Sequence, residues 1–474
     1  MEFWYSVIAV IAPVLAVIGS AHAVLAKRDS RSALTWVALL WLVPVLGAGL
    51  YVLFGINRIN RRAAALRRKV LDEFERDHEC DLAMLRNRLG PDAQYLEGLA
   101  QATNRVVPRP LVQGNSIEPL EDGDEAYPAM LAAIDQAERT VTLATYIFGN
   151  DDVGHAFADA LERAVARGVE VRVLIDNAGE RYTWPSMVGD LQRRGVPVAR
   201  FFPGFPARLV GINLRNHRKL LIVDGCIGFT GGMNIRHHHY RGAGRKATLD
   251  LHFRVEGPVV RHLQETFYED WLFATEEELD GPGWFPDLTP AGTVVARGVP
   301  DGPDHHFLTH HMALQAAVTT ARESVRIVTP YFLPESTLAA VLNTASIRGV
   351  TVDIVLPERS NLPFVHWAMM GQIRQVLVYD CRVWLTPKPF DHAKIMVVDD
   401  AWAFLGSSNW DPRSLRLNFE FNLECFDRTL AQGLSARVDE RIRRARPLTR
   451  EDVDERPLPE RLRDGVARLA MPYL

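Results

Sequence analysis

Two stretches of the chain carry the same set of chemistry-bearing side chains at the same spacing. Residues 216–234 read NHRKLLIVDGCIGFTGGMN and residues 391–409 read DHAKIMVVDDAWAFLGSSN. Aligned, they set His217 on His392, Lys219 on Lys394, Asp224 on Asp399, Gly231 on Gly406 and Asn234 on Asn409. Imidazole, ammonium and carboxamide groups together suit an anionic phosphodiester. A near-neutral imidazole can attack phosphorus while a second one protonates the leaving alkoxide. Lys219, Lys394, Asn234 and Asn409 would neutralise the charge that gathers on the non-bridging oxygens, with no metal or other cofactor required. A single His-x-Lys on a strand is ordinary surface; two copies with matching followers are not. Residues i and i+2 of a strand share a face, so each histidine is expected to point with its lysine. Asp224 and Asp399 complete the motif and count among the candidate catalytic residues, although their odd spacing turns them away and suits them to fixing the following turn. The small pairs Gly231-Gly232 and Gly406-Ser407 allow close backbone approach.

Two motif copies need two like-folded halves to carry them. Residues 132–176 (AAIDQAERTVTLATYIFGNDDVGHAFADALERAVARGVEVRVLID) resemble residues 315–357 (QAAVTTARESVRIVTPYFLPESTLAAVLNTASIRGVTVDIVLP). Each reads as an amphipathic helix, an alternating strand, a polar turn, a second helix ending at Arg-Gly, and a β-branched strand. That cadence gives helix-flanked sheets, an α/β class. The period is a domain's length, a duplication rather than a solenoid. Two such halves pack most simply about a pseudo-twofold axis, bringing the His-Lys strands face to face, with the active site expected on the seam. The first half is expected over residues 119–283 and the second over 284–474, with a charged, mostly helical segment over 57–118 ahead of them.

The N-terminus is a different material. Residues 3–26 and 32–56 contain no Asp, Glu, Lys or Arg, and each is long enough as a helix to cross the ~30 Å hydrocarbon layer. Only KRDSR separates them, so residues 1–56 are expected to form a two-helix transmembrane hairpin rather than a cleaved signal peptide. Lys27, Arg28 and Arg31 lie in the connecting loop, whereas Arg58, Arg61, Arg62, Arg67, Arg68 and Lys69 follow the second run. That bias sets both termini, and the catalytic region, in the cytoplasm. The stretch FFPGFPARLVGINLR (residues 201–215) combines Phe201, Phe202 and Phe205 with Arg208 and Arg215, which suits either the membrane interface or burial between the halves. A net charge of -4 gives no whole-chain attraction to nucleic acid, and no basic stripe with interleaved aromatics appears. Cys80, Cys226, Cys381 and Cys425 are scattered and read as reduced thiols. RHHHY at 236–240 fans its rings apart as an ordinary loop, so no metal site is expected there.

The pattern His-x-Lys-x4-Asp-x6-Gly-Gly/Ser-x-Asn, written twice, resembles the phospholipase D superfamily, and its flanks resemble the bacterial cardiolipin synthases. The likeness covers nearly the whole chain, through the second apolar run, RNHRKLLIVDG, DLHFRVEGPVV, PYFLP and NWDPRSLRLNFEFNLE. It implies two phospholipase D-like repeats and a multi-pass protein of the bacterial plasma membrane. The implied reaction joins two phosphatidylglycerol molecules into cardiolipin and glycerol through a phosphohistidine. By the same likeness His217 is the nucleophile and His392 the acid/base, while Glu420 orients His217 and Asp250 orients His392. Its partners are then phosphatidylglycerol and anionic membrane lipids, without nucleic acid. A phospholipase D-type hydrolase, or a transferase with another donor or acceptor, shares every one of these residues. Gly232, where the second motif has Ser407, costs the first half a hydroxyl that could bond phosphate.

Overall fold

The computed structural model describes residues 2–27, 30–55, 78–201, 214–303 and 308–469. The basic run after residue 57 and most of the 201–215 stretch lie outside them. The N-terminal helices form one compact unit and residues 78 onward belong to another. In the first, α1 (Glu2–Ala26), α2 (Ser30–Leu42) and α3 (Pro44–Leu50) pack around Ala16, Ala23, Trp36, Leu40, Ala48 and Tyr51. The second apolar run, expected as one helix, is broken at Val43. Pro44 has no N–H to continue the ladder and disfavours helical backbone in the residue before it, so it starts α3 instead. Outward faces are apolar: Val17, Ile18, Leu25, Trp41, Leu42 and Leu46 are all exposed. Among the described residues no helix is long and apolar enough to cross a membrane.

In the larger unit the first half supplies β1 (Val112–Glu121), β2 (Thr140–Thr145), β3 (Glu170–Asp176), β4 (Val198–Phe201), β5 (Arg215–Asn216), β6 (Leu220–Val223), β7 (Ile227–Gly231), β8 (Thr248–Leu249) and β9 (Leu251–Glu256). The second half supplies β10 (Val294–Asp301), β11 (Ser324–Val328), β12 (Thr351–Pro357), β13 (Arg382–Thr386), β14 (Phe390–Asp391), β15 (Ile395–Val398), β16 (Trp402–Gly406), β17 (Asn418–Phe426) and β18 (Arg446–Leu448). From its middle outward, the main sheet runs β1-β9-β7-β6-β2-β3-β4 on one side and β10-β17-β16-β15-β11-β12-β13-β18 on the other. The two orders correspond strand for strand up to β4 and β13, with β18 an added edge strand of the second half, and an antiparallel β1–β10 pair joins them, with Val112 opposite Ala296. The halves therefore share one continuous sheet, related about its centre. β1 begins inside the segment expected to be mostly helical. The helices of that segment, Leu82–Leu89 and Glu97–Asn104, send Leu85, Leu89, Leu99 and Ala100 into the core of the second half, beside Val318, Val325 and Ile327.

Local chemistry explains the repeated words of the sequence. The triplets β2-β3-β4 and β11-β12-β13 are parallel, and strands covered on both faces need apolar runs such as Val171, Val173, Leu174 and Ile175. The crossover helix Asp152–Ala166 is capped by Asp151, which accepts from Gly154 N at 3.0 Å, and it buries Val153, Phe157, Leu161 and Ala164. Each Arg-Gly pair stops its helix. Gly168 and Gly349 take left-handed φ of 89° and 90°. Arg167 and Arg348 reach back to carbonyls at the end of the preceding helix, Ile134 O at 2.9 Å and Ala321 O at 3.0 Å.

Candidate active site

His217 and His392 follow the two-residue strands β5 and β14, and residues 217–219 and 392–394 are extended connections, not the interior of strands as expected. Each connection is gripped by the opposite half. β5 pairs in parallel with β17, and β14 with β8. His217 N donates to Phe419 O at 2.9 Å, and His392 N to Leu249 O at 2.7 Å. That crossing sets each imidazole beside a carboxylate of the other repeat. His217 Nδ1 lies 3.0 Å from both Glu420 oxygens, and His392 Nδ1 lies 2.8 Å from Asp250 Oδ2. With Nδ1 so engaged, Nε2 of each ring is the atom left for chemistry. Lys219 Nζ donates to His217 O at 2.6 Å, and Lys394 Nζ donates to His392 O. Arg218, between histidine and lysine, turns the other way and is buried. It binds Asp270 at 2.5 Å and the carbonyls of Glu420 and Asp301 at 3.0 and 3.2 Å, pinning the first connection to the seam.

The two motifs are close enough to feel each other's charge. Burial pushes His392 well below the usual imidazole value, and Lys394, Lys219 and His217 push it further. Burial also lowers His217, against the upward pull of Glu420. The lysines fall too, chiefly through burial, Lys219 to about 7 and Lys394 to about 8. The two carboxylates part company. Burial alone would raise Glu420, yet His217, Lys219 and the Ser407 hydroxyl hold it at about 2. Burial raises Asp250 to about 6, against Lys394 and His239.

Ser407 corrects one expectation. Its hydroxyl donates to Glu420 Oε2 at 2.6 Å and accepts from Phe421 N at 3.0 Å, so it serves the carboxylate and not a phosphate. Asn418 Nδ2 adds a third contact to Glu420 at 3.1 Å. In the first half no side chain fits at the matching place: a Cβ on Gly232 would stand 2.2 Å from Asp250 Oδ1. The glycine is there because the carboxylate occupies its side-chain space.

Asp224 and Asp399 are not brought to the histidines. They sit at the far ends of β6 and β15 with φ of 52° and 51°. Asp224 accepts from the backbone N–H of Glu138, Arg139 and Thr140 at 2.7–3.0 Å, and Asp399 from Arg322, Glu323 and Ser324 at 2.7–2.8 Å. Both therefore clamp the entry of the neighbouring strand. Asn234 lies beside the second motif: its backbone N–H donates to His239 Nε2 at 3.3 Å, and the His239 ring is 6.3 Å from that of His392. Asn234 Oδ1 accepts from Ile147 N at 3.1 Å, while Asn409 Nδ2 donates to Ser414 Oγ at 3.2 Å. Of the three consecutive histidines, His237 meets Asp152 at 2.7 Å and His239 is buried against Asn234. Two aromatic walls escaped sequence reasoning. The Tyr146 ring is 5.3 Å from His217, and the Tyr331 ring 6.3 Å from His392. Their matching places in TYIFG and PYFLP were the available signal.

Carboxylate-backed imidazoles and two lysines, assembled across the centre of a duplicated α/β sheet, define a phospholipase D-like phosphodiester enzyme. The family model described as cardiolipin synthase, phospholipase D-like domain, matches residues 130–271 and 314–442, and one for the phospholipase D-nuclease N-terminal region matches residues 14–55. The chain is 33% identical over 464 residues to the major cardiolipin synthase ClsA of Bacillus subtilis (strain 168), covering 94% of this chain and 95% of that one. It is 31% identical to cardiolipin synthase A of Pseudomonas putida (strain W619), covering 97% and 96%. Among solved structures, the phosphatidylserine synthase of Haemophilus influenzae Rd KW20 shares the fold, with a TM-score of 0.62 at 15% identity over 79% of this chain and all of that one. The chain belongs to the cardiolipin synthase family and is a phosphatidyltransferase.

Proposed function

We propose that the chain joins two phosphatidylglycerol molecules into cardiolipin and glycerol through a phosphohistidine on His217. The observation that carries this reading is the crossed pairing of each imidazole Nδ1 with a carboxylate of the opposite repeat. Neutral His217 attacks the donor phosphorus through Nε2. The phosphorus–oxygen bond to the headgroup glycerol breaks, and that oxygen takes its proton from His392. Burial keeps His392 neutral in the free enzyme, and the arriving phosphodiester anion raises its proton affinity when a proton is needed. Glu420, held ionised at about 2, stabilises the cationic ring of the intermediate. A headgroup hydroxyl of the second phosphatidylglycerol then gives its proton to His392, attacks phosphorus and displaces Nε2 of His217. Lys219, Lys394 and the Asn234 and Asn409 amides complement the non-bridging oxygens.

The N-terminal unit would hold the enzyme at its substrates, in the bacterial plasma membrane with the catalytic region in the cytoplasm. Support comes from its two uncharged runs, its apolar outer face and the match at residues 14–55. A thiol reagent confined to the cell exterior should label a cysteine placed in the 27–31 loop and miss one placed after residue 57; the reverse pattern would invert the topology.

The catalytic reading is tested in a strain lacking its own cardiolipin. The chain should restore cardiolipin, and His217→Ala or His392→Ala should each return it to background. Phosphate-labelled phosphatidylglycerol should leave acid-labile label on the denatured wild-type chain and none on His217→Ala. Phosphatidate without cardiolipin would mark a hydrolase and reject the transfer.

A further inference from the structure

We propose that a cleft of the second half, beside His392, binds the phosphate of the acceptor phospholipid. The inference rests on the reaction above and supplies a place for its second substrate. The cleft holds about 280 Å³ and is lined by Arg359, Thr386, Lys388 and Phe390 between the prolines at 357, 387 and 389. It opens where the parallel strands β12 and β13 end, so its floor is fixed by the sheet.

Position, charge and chemistry agree. The Phe390 ring that closes one side of the cleft is 6.0 Å from the His392 ring, and Tyr331 stands 6.3 Å from both. Tyr331 is held by Asn361, whose Oδ1 accepts from its hydroxyl at 2.7 Å, so the cleft and the wall of the catalytic site share one loop. Lys388 is four residues from His392, at most roughly 14 Å along an extended chain. Glu358, the acid of the cleft, is already paired with Arg446 at 2.8 Å. The two cationic side chains of the lining, Arg359 and Lys388, therefore face no other acid of the cleft, which leaves it cationic.

The acceptor creates a need for that charge. Phosphatidylglycerol that attacks through its headgroup hydroxyl carries its own anionic phosphodiester one glycerol away. Lys219 and Lys394 are committed to the donor phosphate, and a second anion without a counter-charge would be repelled from the first. The polar lining suits a phosphate and not an acyl chain. Because the cleft adjoins His392, the acceptor hydroxyl would arrive beside the base that takes its proton. With phosphate in the cleft, the phosphorus–nitrogen bond to His217 breaks as the new phosphorus–oxygen bond forms, and nothing beyond the two lipids is consumed.

The test compares acceptors that differ only in the distal phosphate. Full-length enzyme in phosphatidylglycerol micelles is given labelled glycerol, a neutral acceptor that regenerates phosphatidylglycerol from the intermediate. Arg359→Gln with Lys388→Gln should lower the ratio of cardiolipin formed to glycerol exchanged by about tenfold or more, the scale of losing charge-assisted bonds to phosphate. It should raise the share of phosphatidate as water competes better. Arg359→Lys with Lys388→Arg, which keeps the charge, should restore the ratio. An unchanged ratio, or equal loss of both products with no rescue, overturns the acceptor site. Absence of glycerol exchange by the wild-type enzyme would instead remove the phosphohistidine reading beneath it.

Discussion

At the scale of single residues, the site is a set of groups whose charge states burial has shifted toward neutrality and which substrate must shift back. Asp250 must be ionised to support His392 once the arriving phosphodiester has protonated it, so kcat/KM should fall as pH drops through about 6. The free enzyme also needs charged ammonium groups for the phosphate, so kcat/KM should fall again as pH rises through about 7 to 8, where Lys219 and Lys394 lose their protons. A bound phosphodiester anion raises both lysines, so the alkaline limb of kcat should lie at higher pH than that of kcat/KM. Initial rates across pH, fitted separately for the two parameters, check this. Coincident alkaline limbs would show that the groups behind them do not meet the bound phosphate, and so are not Lys219 and Lys394. Glu420 behaves oppositely to Asp250: its folded value of about 2 is below that of a free glutamate. Its contribution to stability is therefore complete above the unfolded pKa and is lost only as pH falls through about 2.

At the scale of elements, the helix Glu97–Asn104 is tied to the central sheet by one buried charge pair. Arg297 on β10 binds Glu424 on β17 at 2.5 Å, and also Thr103 and, at 2.6 Å, Asn104. Both partners are fully buried. Arg297→Leu should cost about 3–5 kcal/mol by stranding the Glu424 carboxylate, and Arg297→Leu with Glu424→Leu should recover most of that loss. Urea unfolding of the three proteins decides it, and equal loss in the single and double variants would show that packing, not charge, is at stake. This tie also marks where the sequence stopped being informative. Spacing alone picked out His217, Lys219, His392 and Lys394, because chemistry repeated at a fixed interval is visible in one dimension. The family likeness supplied Glu420 and Asp250, which now lie within 3.0 Å of their imidazoles. The helix at 97–104 gave no sign that it joins the second half's core, since its partners Arg297 and Glu424 lie some 200 and 320 residues away. The partner of Ser407 is not legible in the sequence either, because a hydroxyl near a glycine turn has no directional signature until the strand bearing Glu420 is laid beside it.

At the scale of the whole molecule, the duplication does more than double a motif. Neither repeat holds a complete imidazole–carboxylate pair: the His217 connection is hydrogen-bonded to β17 and its carboxylate comes from β17, while the His392 connection takes both from residues 249 and 250. A half alone therefore has an imidazole with no Nδ1 partner, and the β1–β10 pair joins the two halves that complete each pair. Since both halves come from one continuous polypeptide, each chain should contain its complete site. Co-expressing His217→Ala with His392→Ala in a cardiolipin-free strain should then leave cardiolipin at background, because every chain lacks one imidazole of its own pocket. Recovery of a sizeable fraction of wild-type cardiolipin would mean that halves exchange between chains, with an intact first half of one meeting an intact second half of another. The fused sheet argues against exchange: it would have to break the β1–β10 pairing, pull the Glu97–Asn104 helix off the second core and expose Arg297 and Glu424, all before a new seam could form.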